Sequence, residues 1–106
     1  MEIKANTKNP KKLVEAINGA IQNEDLKTWS IVHNNKQEEL YSHTPEQWNQ
    51  KAMLLPSILD DSVDFMIVWW RDKEPDEKTK GYILGRFIEI LMVHFIDQFD
   101  SLTIYK

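Results

Sequence analysis

The chain has no cysteine, so disulfides, thiolate metal sites, iron–sulfur clusters and a thiol nucleophile are excluded. Its three glycines, Gly19, Gly81 and Gly85, build no phosphate-cradling loop, no dinucleotide fingerprint and no Gly-x-Ser-x-Gly elbow, which argues against most nucleotide enzymes. No apolar run approaches the roughly 18 residues needed to span a bilayer. Met1-Glu2-Ile3-Lys4 opens no basic-then-apolar leader, so a cytoplasmic domain with no membrane partner is expected. Excess positive charge is also missing: 13 Lys and Arg stand against 17 Asp and Glu, a formal charge of -4. A general grip on nucleic-acid phosphates or anionic lipid is therefore disfavoured. No pair among His33, His43 and His94 has the i, i+4 spacing or the carboxylate company of a helical zinc site, so neither a metal nor a cofactor is expected.

What is present is a chain of 106 residues, 42% hydrophobic and 28% charged, which makes one globular domain over residues 1–106. Met1, Ile3 and Ala5 alternate with Glu2 and Lys4, the period of a half-buried strand. Asn9 as N-cap and Pro10 at the first helical position predict a helix over residues 10–22, since proline there loses no needed N–H. Leu13, Val14, Ile17, Ala20 and Ile21 form its apolar face. Lys27 to Asn34 and Glu38 to His43 read as a hairpin around Asn34-Asn35-Lys36-Gln37. An even-length loop places Trp29, Ile31 and Leu40 on the core side, and Thr28, Ser30, Val32, Tyr41 and His43 on the other. Thr44-Pro45-Glu46-Gln47 has the capping-box form and predicts a short helical turn carrying Trp48. Pro56 lies inside the apolar run Ala52 to Leu59, and a residue without an N–H implies an edge or bulged strand.

Val63 to Trp70 reads as the clearest strand, with Val63, Phe65, Ile67 and Trp69 on one side and Asp64, Met66, Val68 and Trp70 on the other. The charged stretch Arg71 to Lys80 is expected to be an exposed loop. A largely buried helix is predicted from about Thr79 to Gln98, its polar sector holding Arg86, Glu89 and Asp97. Gly81 and Gly85 lie four apart on it and each costs about 1 kcal/mol against alanine, so close packing against a neighbour is expected there. Ser101 to Tyr105 alternates as a final strand. The fold class is α+β: a single mainly antiparallel sheet of five to six strands with two helices on one face, the other face left open.

His43 is the strongest candidate for chemistry, since the hairpin parity sets it beside Tyr41 on the uncovered face, just before the turn that holds Trp48. His94 falls in the apolar sector of the long helix, where a neutral, backbone-bonded imidazole is the ordinary occupant. Arg86 and Glu89, at i and i+3, form the pattern of a surface ion pair. The informative surplus is aromatic. Strand parity buries either Trp69 or Trp70 beneath the helices, not both, so Met66, Val68 and Trp70 make an apolar stripe on an open sheet, and such stripes mark interaction surfaces. Aromatics interleaved with basic residues would suggest single-stranded nucleic acid, but this strand carries Asp64 and only Arg71 at its end.

Asn9-Pro10-Lys11-Lys12-Leu13, His43-Thr44-Pro45-Glu46-Gln47-Trp48 and Gly85-Arg86-Phe87-Ile88-Glu89 followed by His94-Phe95 resemble a family of small bacterial proteins to which no activity is attached. The resemblance spans most of the chain and implies a free-standing bacterial domain. Its recurring residues are His43, Pro45, Trp48, Arg86, Glu89 and His94.

The expected function is that of a small acidic, non-enzymatic domain that binds protein: an immunity- or antitoxin-like inhibitor, or a homodimeric interaction module. The binding surface is formed by Met66, Val68, Trp70 and Trp48, or by the acidic loop at residues 72–78. Negative charge steers such a domain towards a basic partner. The alternative is a small hydrolase-like enzyme using His43 with Tyr41, Glu46 or Arg86 in a pocket beside Trp48.

Overall fold

Hydrophobic periods set the element order, and a computed structural model describes it over residues 1–106. It runs β1 (Glu2–Asn6), α1 (Pro10–Gln22), β2 (Trp29–His33), β3 (Glu39–His43), β4 (Met53–Ile58), β5 (Ser62–Val68), α2 (Glu77–His94), a 3-10 turn at Ile96–Gln98, and β6 (Ser101–Tyr105). The six strands form one open antiparallel sheet in the order β2-β3-β4-β5-β1-β6. Both helices contribute to a single core cluster against one sheet face, so the fold is α+β. No helix is long and apolar enough to cross a membrane.

α1 begins at Pro10 as its sequence dictates, but Asn9 caps it through the backbone: its carbonyl accepts the Leu13 N–H at 3.1 Å and its side chain makes no cap bond. Leu13 and Ile17 are fully buried. α2 starts two residues before the predicted Thr79 because Asp76 accepts the Thr79 N–H at 2.8 Å, which satisfies one otherwise orphaned donor. α2 buries Ile83, Leu84, Phe87, Ile90 and Leu91 but exposes Tyr82, Met92 and Val93. It is therefore a one-sided surface helix and not the largely buried one expected. Phe87 is the centre of the core, 4.8 Å from Phe65, 5.4 Å from Trp29 and 5.7 Å from Tyr41 between ring centroids.

The hairpin corrects the assignment of faces. Asn34 and Glu38 pair through Asn34 N–H to the Glu38 carbonyl at 3.3 Å, leaving three residues in the loop, the last of which, Gln37, adopts φ 63°. The Asn34 side chain accepts from the N–H groups of Lys36 and Glu38 at 3.0 and 2.9 Å and fixes this odd-length turn. Side-chain parity then inverts relative to an even loop: Trp29 lies opposite His43, Ile31 opposite Tyr41 and Val32 opposite Leu40. Tyr41 and His43 consequently face the helices and are buried, while Leu40 faces the other way.

β4 is an interior strand between β3 and β5, not the edge or bulged strand that Pro56 suggested. Leu59 donates to Ser62 across the β4–β5 turn, so by alternation Pro56 directs its missing donor towards β3. The β3–β4 ladder covers only Tyr41–Leu54 and Ser42–Met53, and has ended before Pro56 is reached. Residues 44–51 form turns in which the Pro45 carbonyl accepts from Trp48 and Asn49, the i+3 and i+4 bonds of the single helical turn predicted to carry Trp48, and no helix extends beyond it. Gly81 and Gly85 contradict the expected close packing, since a Cβ at either position would meet nothing within 4 Å.

Candidate functional site

The sheet face away from the helices collects Val32, Leu40, Leu55 and Met66 from four neighbouring strands, with Met53 and Val68 in the next row, where they are paired. Part of this face is roofed. Gln50 donates its N–H to Ser42 Oγ at 3.1 Å and accepts from Trp70 Nε1 at 3.0 Å, which shields Ser42 and Met53 completely. Beside that roof lies a recess of about 420 Å³ lined by Leu40, Leu55, Val68, Trp69 and Trp70, with His33 and Arg71 among its polar residues. Met66 remains 46% exposed and Val32, Leu55, Val68 and Trp70 are half-buried. Met66, Val68 and Trp70 thus share the uncovered face, as strand alternation requires. Val32, which the sequence already sets on this face, and Leu55 join them; Leu40, assigned to the core side by an even-length loop, also turns to this face but is itself buried.

Trp48 is elsewhere. It packs on the main core and stacks on Tyr82 of α2 at 5.3 Å, so it belongs to the helical layer. Trp69 also turns towards that layer, where Lys80 Nζ lies 4.3 Å from its ring centroid, but it stays 37% exposed, so neither it nor Trp70 is buried beneath the helices as strand parity suggested. Lys80 is buried and bonds Glu74 at 2.6 Å and Glu77 at 2.9 Å, and these hydrogen bonds, Glu74 first, raise its pKa. Hydrogen bonds from Thr79 likewise hold the Asp76 carboxyl below its ordinary range. Three acids of the 72–78 loop are therefore engaged within the chain, which leaves that loop less free to meet a partner than its composition implied.

None of the four residues of the hydrolase-like alternative lines a principal recess. Tyr41 is fully buried, donates its hydroxyl to Asn18 Oδ1 at 2.6 Å, and has its pKa raised by burial and by Glu39. His43 stacks on Trp29 at 4.6 Å, and its Nδ1 lies 2.9 Å from the Thr28 carbonyl, which assigns the proton to Nδ1 in the neutral ring. Burial lowers its pKa; the Thr28 bond and Glu89 act upward and Arg86 downward. Arg86 and Glu89, 3.5 Å apart on the exposed side of α2, thus act on His43 through their charges. Glu46 is exposed in the 44–51 turns. None of the principal recesses is lined by His43. His94 ends α2 exposed to solvent, not in the apolar sector expected for it. No group of three or more acidic or imidazole side chains is placed to hold a metal ion.

No family model, no curated protein and no solved structure matches this chain.

Proposed function

We propose that this domain acts by binding another protein through its uncovered sheet face, in the manner of an immunity- or antitoxin-like inhibitor working in the cytoplasm. The observation that carries the reading is the solvent-accessible apolar row Val32, Leu55 and Met66, underlain by buried Leu40, beside the recess walled by Val68 and Trp70. Apolar surface of this kind, contributed by β2, β4 and β5 and bordered by polar groups, gains free energy when a partner removes it from water. Trp70 is the anchor: its indole is held by Gln50, so little side-chain freedom is lost on binding. The formal charge of -4 favours encounter with a basic protein.

The test is affinity capture from the source cell with wild-type protein and with Trp70→Glu and Met66→Glu variants, each first checked for folding by circular dichroism. One partner retained by wild type in stoichiometric amount and released by both variants supports the reading. Recovery of the same proteins by wild type and variants, or of the bait alone, contradicts it.

A further inference from the structure

β2 is an edge strand, and its free edge carries none of the devices that usually blunt one. Trp29-Ser30-Ile31-Val32-His33 has no Lys, Arg, Asp, Glu or Pro. The direction of its backbone groups follows from the ladder. Thr44 donates to the Thr28 carbonyl and Asn34 to the Glu38 carbonyl, so the even-numbered residues of β2 bond β3 and the odd-numbered ones point outward. The Trp29 N–H is already used by the Leu26 carbonyl at 3.2 Å. The Trp29 carbonyl and the N–H and C=O groups of Ile31 and His33 remain, five outward groups along the edge.

We infer that β2 pairs with β2 of a second copy of this chain, antiparallel and centred on Val32, joining two six-stranded sheets into one continuous sheet. In that register Ile31 of each copy exchanges both backbone bonds with His33 of the other, which uses four of the five outward groups and leaves the Trp29 carbonyl at the margin of the pairing. Val32 meets Val32 across the two-fold axis, where a charged residue would meet its own charge. The ends fit as well. Antiparallel pairing lays the hairpin turn of one copy, with Lys36, alongside the connection between α1 and β2 of the other, which carries Glu24 and Asp25. Next to that connection and β2 is a recess of about 720 Å³ lined by Ile21, Glu24, Leu26, Trp29 and Ile31, room for the incoming turn. At the second edge, no residue of β6 lines a principal recess. Pairing at β2 also carries the apolar row across the axis, doubling the face proposed above to take a partner, although the dimer does not depend on that proposal.

Light scattering coupled to size exclusion at high micromolar concentration, with amide hydrogen exchange, tests this. The expected result is a dimer in which the Ile31 and His33 amides are protected and lose protection on dilution. His33→Pro removes an outward donor from each copy without touching the β3 ladder, and weakens the dimer about 30-fold or more, as two lost hydrogen bonds imply. Val32→Lys sets two ammonium groups face to face and produces a monomer by a different route, so the test survives if the proline variant fails to fold. Met66→Glu and Trp70→Glu leave the dimer intact, which separates this inference from the partner-binding surface. A wild-type monomer, a dimer that persists in Val32→Lys, or protection at β6 in place of β2 overturns it.

Discussion

Gly81 and Gly85 offer a quantitative check on how α2 is held. Both lie within the helix Glu77–His94, both are exposed, and neither has a positive φ. An added Cβ meets nothing within 4 Å at either site. Replacing glycine with alanine therefore removes backbone freedom from the unfolded chain and adds no clash to the folded one. Each substitution should stabilise by about 1 kcal/mol. The side chain is only a methyl, so no new contact couples the two sites and Gly81→Ala/Gly85→Ala should gain about 2 kcal/mol. At about 4–8 °C per kcal/mol for a domain near this size, the double variant should melt about 8–16 °C above wild type. Thermal unfolding followed by circular dichroism at 222 nm, with urea midpoints as a second measure, reads this directly. A melting temperature unchanged or lowered in either single variant would refute it, and would mean that the outer face of α2 is packed against something in solution.

Two further perturbations probe the core and its buried imidazole. Phe87→Ala empties the space shared by Trp29, Tyr41 and Phe65 and should cost about 3–5 kcal/mol, a large part of the roughly 5–15 kcal/mol that holds a domain together; a loss below about 1 kcal/mol in urea unfolding would deny Phe87 its central position. His43 has a folded-state pKa below the ordinary imidazole value of 6.5, chiefly through burial. The unfolded chain thus binds this proton more readily, so the stability tied to neutral His43 is complete above pH 6.5 and declines as the pH falls through the folded-state value. Urea midpoints between pH 7 and 5 should fall for wild type and fall less steeply for His43→Gln; parallel slopes would show that the imidazole is not buried in its neutral form.

Much of the architecture is legible in the residues because local signals agree. Asn9-Pro10 and the stripe from Leu13 to Ile21 define α1 to the residue, and the alternation of Ser101 to Tyr105 defines β6. β5 keeps its parity, so Met66 and Val68 lie on the uncovered face with Trp70 beside them. The errors share a physical origin in long-range context. Strand parity has a period of two, so a single residue in the hairpin loop moves Tyr41 and His43 from one face to the other and hides Leu40 from the candidate surface. Nothing local to Asn34-Asn35-Lys36-Gln37 announces that the Asn34 side chain will organise an odd loop. Pro56 is accepted inside a sheet because the β3–β4 ladder ends short of it. Lys80 sits in a segment that composition marks as exposed, yet the ring of Trp69 and the carboxylates of Glu74 and Glu77 converge on it once β5 and α2 are in place.

The most direct test of the proposed binding face is photocrosslinking in the source cell from a benzophenone side chain placed at Met66, with the same group at Val93 as the control. Both positions are exposed, at 46% and 65%, but Met66 lies on the uncovered sheet and Val93 on the outer side of α2. The expected result is one discrete heavier adduct from position 66, absent from position 93 and lost when Trp70→Glu is added. Equal labelling from both positions, or an adduct at 66 that survives Trp70→Glu, would contradict the assignment of the sheet face as the surface through which this domain acts.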